Sequence, residues 1–146
     1  MGTIRQRSAV EVPREQVFAY VNDYQNVPKF MFGVTRFAPT SEKTSGLGST
    51  FDVAMDLGPK TLKSTVETVE WVENEFIRLE SVKGFSANTT WRFADDGDGT
   101  AVAVEFEYTL PGGIAGRALG AVIEPLLGQA IRQTEANLTK QVSELA

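Results

Sequence analysis

The rhythm of polar and apolar positions changes twice along the chain. Ile4, Gln6, Ser8, Val10 and Val12 fall on one side of a period-two pattern, with Arg5, Arg7 and Glu11 on the other, which predicts a first strand. Pro13 then suits the first turn of a helix. Glu15 complements its N-terminal dipole, and Val17, Phe18 and Val21 recur at helical spacing up to Asp23. Residues 24–32 carry Val27, Phe30, Met31 and Phe32 around Pro28, predicting a second short helical turn with its apolar side inward.

From Gly33 the pattern is that of strands, over residues 34–38, 49–57, 62–72, 76–82, 87–94 and 101–110. Segments rich in Gly, Pro, Asn and Asp separate them: 40–48, Gly58-Pro59, 73–75, Lys83-Gly84 and 95–100. Links this short join antiparallel neighbours, since a parallel crossover needs a dozen or more residues. After Pro111, Gly112 and Gly113 the period becomes helical, with Leu119, Ile123, Leu126, Leu127, Ala130, Ile131, Thr134, Leu138, Val142 and Leu145 on one wide face. Pro125 lies inside this run and predicts a kink or break near Ala121, whose carbonyl loses its partner. Neither a repeat nor a linker interrupts residues 1–146, which read as a single α+β domain.

Alternation also assigns faces. Phe51, Val53, Met55 and Leu57 oppose Thr50, Asp52 and Asp56; Trp91 and Phe93 oppose Arg92; Val102, Val104, Phe106, Tyr108 and Leu110 oppose Glu105 and Glu107. A sheet with one apolar face needs a cover, and helices are the only cover available. A sheet of this many strands is wider than one helix of ~10–12 Å, so it must curl around it. Small residues on the helix, among them Gly116, Gly120, Gly128 and Ala130, favour an interior left partly open. The candidate lining is Phe30, Phe32, Phe51, Val53, Met55, Trp91, Phe93, Phe106 and Tyr108, with Ile123, Leu126, Leu127 and Ala130 from the helix. The same aromatic stripe also reads as an ordinary filled core.

Composition narrows the chemistry. With 42% apolar and 23% charged residues and 9 Phe, the chain is globular in type. The net charge of −5, with no cluster of Lys and Arg, argues against a nucleic-acid partner. No Cys and no His are present, which removes disulfides, thiolate metal sites, the commonest metal ligand and the commonest general base. No metal and no cofactor are expected. Residues 1–12 lack the apolar core of a secretory signal, so the expected location is cytoplasmic. Arg117, Glu124 and Pro125 interrupt the most apolar stretch, 114–131, and no membrane span is expected.

Residues 10–18, VEVPREQVF, followed by Asp23 and then Asn26-Val27-Pro28-Lys29-Phe30, resemble the opening of the START-like, or helix-grip, superfamily. The later Trp91-Arg92-Phe93, Gly99-Thr100, Tyr108-Thr109-Leu110-Pro111-Gly112-Gly113 and long final helix resemble its bacterial polyketide cyclase/dehydrase and lipid-transport branch. The resemblance spans nearly the whole chain, and the order of elements is its most specific part. It implies a curved antiparallel sheet of about seven strands wrapped around a long C-terminal helix, with two short helices after the first strand. It further implies a deep pocket for a lipid, sterol, polyketide, quinone or similar molecule.

The chemistry-bearing motifs are sparse. The loop Ser45-Gly46-Leu47-Gly48-Ser49-Thr50 precedes a strand rather than a helix N-terminus, so it reads as a hairpin turn and not a phosphate cradle. Asp95, Asp96 and Asp98 lack the distal Glu of a calcium loop, the corresponding place being Phe106. Polar groups on the inward register are Gln6, Ser8, Ser64, Thr68 and Tyr108, none with a His to activate it. Tyr108 is the one catalytic candidate, as a hydrogen-bond donor to a ligand or substrate carbonyl. Glu124 falls near the edge of the helical face, Arg117 is a possible carboxylate anchor, and alternation turns Arg92 outward. Three functions follow: binding or transport of an apolar small molecule, a cyclase or dehydratase acting on a poly-ketone, or a protein-interaction module. The expected assembly is a monomer or weak homodimer.

Overall fold

The computed structural model describes residues 2–145. Strand β1 (Gly2–Val10) leads into α1 (Arg14–Asn22), a 3-10 turn (Tyr24–Asn26) and α2 (Val27–Phe30). Then come β2 (Val34–Pro39), β3 (Thr50–Leu57), β4 (Lys60–Val72), β5 (Phe76–Gly84), β6 (Ser86–Asp96), β7 (Gly99–Thr109) and α3 (Gly113–Ser143). All seven strands form one antiparallel sheet in the order β1-β7-β6-β5-β4-β3-β2. This is the helix-grip arrangement that the sequence resemblance implies, with both short helices after the first strand.

Local chemistry makes the reversals possible. Between β4 and β5 the chain turns through Asn74 at φ 64°, a left-handed conformation that Asn tolerates better than most residues. Gly84, at φ 83°, begins the turn into β6 with its α-carbon against the backbone of Lys63 and Ser64, where no side chain fits. Irregularities curl the sheet. Extra residues fall at Thr35 of β2, at Val69 of β4 and at Val82 of β5, where the pairing registers shift. Each bulge bends its strand and increases the local twist.

Helix α3 runs alongside β1 and reaches the β3–β4 turn, where Leu126 lies against Gly58. Ile123, Leu127, Ala130, Ile131, Thr134, Leu138 and Val142 are at most 2% exposed and form its inner stripe. The break anticipated near Pro125 does not occur, and α3 is continuous. Pro125 and Ala121 are both exposed, so the backbone carbonyl that loses its partner lies where water reaches it. Leu145 falls beyond the helix and is exposed, off the stripe. By length and composition alone α3 meets the minimum for a membrane-crossing helix, a test that the core helix of a folded domain passes as well. Its apolar stripe is nonetheless committed to the sheet as the core helix of the fold.

Polar side chains on the C-terminal half of α3 hold the short helices. Gln141 accepts from the Tyr20 hydroxyl at 2.6 Å and donates to the Lys29 carbonyl at 2.8 Å. The Thr134 hydroxyl accepts the Phe32 amide N–H at 2.9 Å. Together these bonds fix α1, α2 and the corner leading into β2 against one face of α3.

Candidate ligand-binding site

The corner between α2 and β2 brings the site together. The Asp23 carboxylate accepts the Gln25 N–H at 3.0 Å and starts the 3-10 turn, and Pro28 sits in the first turn of α2, where its missing N–H costs nothing. The Met31 N–H closes that turn on the Val27 carbonyl at 2.9 Å, and Gly33, at φ 89°, redirects the chain into β2. Phe30 is thereby buried edge-on against Trp91, with ring centroids 5.8 Å apart. Met31 projects over the concave sheet.

Two small cavities lie beneath this corner. The first, of about 40 Å³, is walled by Val27, Phe30, Phe51, Thr68, Ile77 and Trp91, with Asn22, Tyr24, Ser45, Gly46 and Ser49 around it. The second, of about 60 Å³, lies farther along the sheet among Val34, Val53, Met55, Leu62, Val66, Phe85, Ala87 and Phe106, with the hydroxyls of Ser64 and Thr89. Met31, Phe37 and Leu79 belong to both walls and separate the two. Among the described residues, no charged side chain lines either one. Each exceeds the ~10–15 Å³ that a water molecule needs and falls far below the roughly 300 Å³ at which small-molecule sites begin. Larger hollows, of about 320 Å³ and 560 Å³, are bordered by the charged residues Arg36, Lys63 and Lys83 and by Glu11, Asp96 and Asp98. They are not part of the apolar interior.

A family model described as polyketide cyclase / dehydrase and lipid transport matches residues 1–143. The chain belongs to that family. No curated protein matches it in sequence. Among solved structures, TTHA0849 from Thermus thermophilus is similar at 20% identity, with a TM-score of 0.83 and coverage of 99% of each chain. A START superfamily protein from Mycobacterium smegmatis is similar at 15% identity, TM-score 0.79 and 99% coverage of each. The ginseng major latex-like protein 151 from Panax ginseng follows at 13% identity and TM-score 0.68, covering 98% of this chain and 95% of its own. Identities this low establish the shared fold and nothing narrower.

Within this polyketide cyclase / dehydrase and lipid transport family member, the residues singled out by alternation separate into groups. Phe30, Phe51 and Trp91 line the first cavity, and Val53, Met55 and Phe106 the second. Phe93 is buried beside Trp91, its ring stacked at 6.4 Å, and continues the aromatic packing to Phe18. Ile123, Leu127 and Ala130 are fully buried in the packing of α3, Leu126 is half-buried at its edge, and none of the four touches either cavity. Phe32, expected to point inward, is instead 48% exposed, because the turn at Gly33 leaves its side chain outside while its amide binds Thr134. Sequence reasoning did not single out Phe37 or Leu79 as lining residues. The bulge after Val34 is what brings Phe37, rather than Arg36, to the inner face opposite Val53.

One hydroxyl pair of the first cavity has a defined direction. The Ser49 hydroxyl donates its one proton to the Gly46 carbonyl at 2.7 Å. Thr68 is therefore the donor in the 2.9 Å bond between the two hydroxyls, which leaves the lone pairs of its oxygen as acceptors.

Tyr108 lines neither cavity. Its buried hydroxyl donates to Glu124 at 2.6 Å, and Gly2 packs so closely on its ring that a methyl group there would overlap it. The bond to the carboxylate, reinforced by burial, pushes the phenol up to about 12. Because this folded value lies above the ordinary 10.0, the contribution to stability is complete below about pH 10 and disappears as pH rises toward 12. Urea unfolding of Tyr108→Phe is expected to show a loss of about 1–2 kcal/mol at neutral pH and a flatter decline between pH 10 and 12. Superimposable pH profiles for the two proteins would remove this pair from the account of stability.

Proposed function

We propose that this chain binds a hydrophobic small molecule inside the concavity of its sheet and acts as a carrier or sensor. On this reading it works in the cytoplasm as one folded unit, monomeric or weakly dimeric. The observation that supports it is the pair of adjoining apolar cavities with uncharged walls, held under the α2–β2 corner. Apolar surface left facing empty space forfeits contacts that a guest would restore. The polar side chains that border these spaces are hydroxyls, the Tyr24 phenol among them, and the Asn22 amide, groups that orient a ligand by hydrogen bonds. The family's description accommodates this reading, since it names lipid transport beside polyketide cyclase / dehydrase.

Thermal shift against a panel of lipids, quinones and polyketides tests this reading, together with mass spectrometry of organic extracts from the purified protein. A ligand at about one hundred times its Kd adds about 2.7 kcal/mol, enough to raise the melting temperature by several degrees. A panel without a single shift, and extracts without a co-purifying compound, would refute it.

A further inference from the structure

The inward side chains of β4 pass through both cavities in turn. Thr68 borders the first, while Val66, Ser64 and Leu62 border the second. Thr68 and Leu62 stand six positions apart on one strand, which spans about 20 Å at ~3.3 Å per residue. The two spaces therefore lie along a single track, interrupted only where Met31, Phe37 and Leu79 close it.

Those three side chains differ in how easily they yield. Phe37 is stacked on Phe51 with centroids 4.6 Å apart, and Leu79 stands on β5, paired with both Thr68 of β4 and Thr89 of β6. Met31 is unbranched, has three rotatable side-chain bonds and follows the last residue of α2. Of the three, Met31 is therefore the one freest to change rotamer and open a passage between the cavities. A fused-ring guest, wider than an alkyl chain, demands a wider opening than the rotation of one unbranched side chain gives.

We propose that the two cavities are halves of one elongated site for a slender, unbranched alkyl chain bearing a neutral hydroxyl, with the hydroxyl on Thr68, the chain along β4 and Met31 as the movable partition. This rests on the reading that the interior takes an apolar guest, and narrows it to a shape and a head group. The head group follows from hydrogen-bond direction: Thr68 offers acceptor lone pairs, which suit an alcohol O–H and repel a carboxylate. The uncharged walls disfavour an ionised head for the same reason.

Calorimetric titration with 1-dodecanol, dodecanoate and 9-anthracenemethanol tests it. Dodecanol is expected to bind at least ten-fold more tightly than either of the others. Thr68→Val should weaken dodecanol about ten-fold, the value of one hydrogen bond of about 1.4 kcal/mol, while Thr68→Ser, which keeps the oxygen, should not. Met31→Ala should shift the preferred chain to a longer alcohol, and Met31→Ile, stiff at its first side-chain torsion, should weaken every chain long enough to cross the partition. Tighter binding of the fused-ring alcohol or of dodecanoate would overturn the narrow site and leave apolar ligand binding standing. So would an unchanged chain-length preference in Met31→Ala. If neither these probes nor any lipid, quinone or polyketide bound, the proposed function would fall together with the inference.

Discussion

Replacing Trp91 with alanine is expected to destabilise the fold by about 3–5 kcal/mol, a large share of the 5–15 kcal/mol that holds a typical domain. Trp91 is 3% exposed and belongs to an aromatic chain that runs from α2 through β6 to α1. Phe30 of α2 meets its edge at 5.8 Å, Phe93 stacks on it at 6.4 Å, and Phe93 in turn meets Phe18 of α1 at 5.3 Å. Truncation leaves a cavity on the sheet side of both short helices, which their backbones cannot close without abandoning the bonds from Gln141 and Tyr20. Urea unfolding monitored by far-ultraviolet circular dichroism measures the loss. A cost below 1 kcal/mol would mean that the indole is not the keystone of this packing.

Thr134→Val should cost about 1–3 kcal/mol although it preserves side-chain volume. The Thr134 hydroxyl is fully buried, donates to the Ala130 carbonyl at 2.8 Å and accepts the Phe32 N–H at 2.9 Å. A methyl group in its place leaves that amide without a partner in a part-buried position. The strain falls at the residue after Met31, so the α2–β2 corner loosens. Faster hydrogen exchange at the Phe32 amide is therefore expected, with recovery in Thr134→Ser. Unaltered exchange there would show that the corner is held by other contacts.

Much of this fold was legible from period alone because each element carries its own signal. Alternation in β3, β6 and β7 sorted the inward residues Phe51, Met55, Trp91, Phe93, Val104 and Phe106, all of them buried. The stripe from Ile123 to Val142 likewise marked the inner side of α3. Bulges are where this reasoning runs out. Val69 lies unpaired between Thr68 and Glu70, so the inward parity of β4 switches and Trp71, not Glu70, packs against Phe18. A bulge places two residues opposite one, and nothing in local hydropathy announces it. Phe37 escaped notice for the same reason, and with it the partition between the cavities.

The candidate site was harder to read than the core. Helical periodicity marked Ile123, Leu126, Leu127 and Ala130 as apolar but carried no information about whether they meet empty space or other side chains. Residual volume depends on how several elements fit together, which no single segment encodes. Pro125 shows the converse limit. Its local rule anticipates a broken helix, yet tertiary packing of the residues on either side keeps α3 continuous.

The pairing of β1 with β7 joins Gly2 to Tyr108 and Val10 to Thr100, across most of the chain. Within this domain β1 is made before the other strands, yet the strand it pairs with in the sheet, β7, is the last of them to be made. Closing so long a loop is entropically slow, which favours a nucleus among the consecutive hairpins from β3 to β7, with the opening strand as a late arrival. Until β1 docks, one edge of β7 offers unpaired backbone groups, and the partly folded domain is open to intermolecular strand exchange.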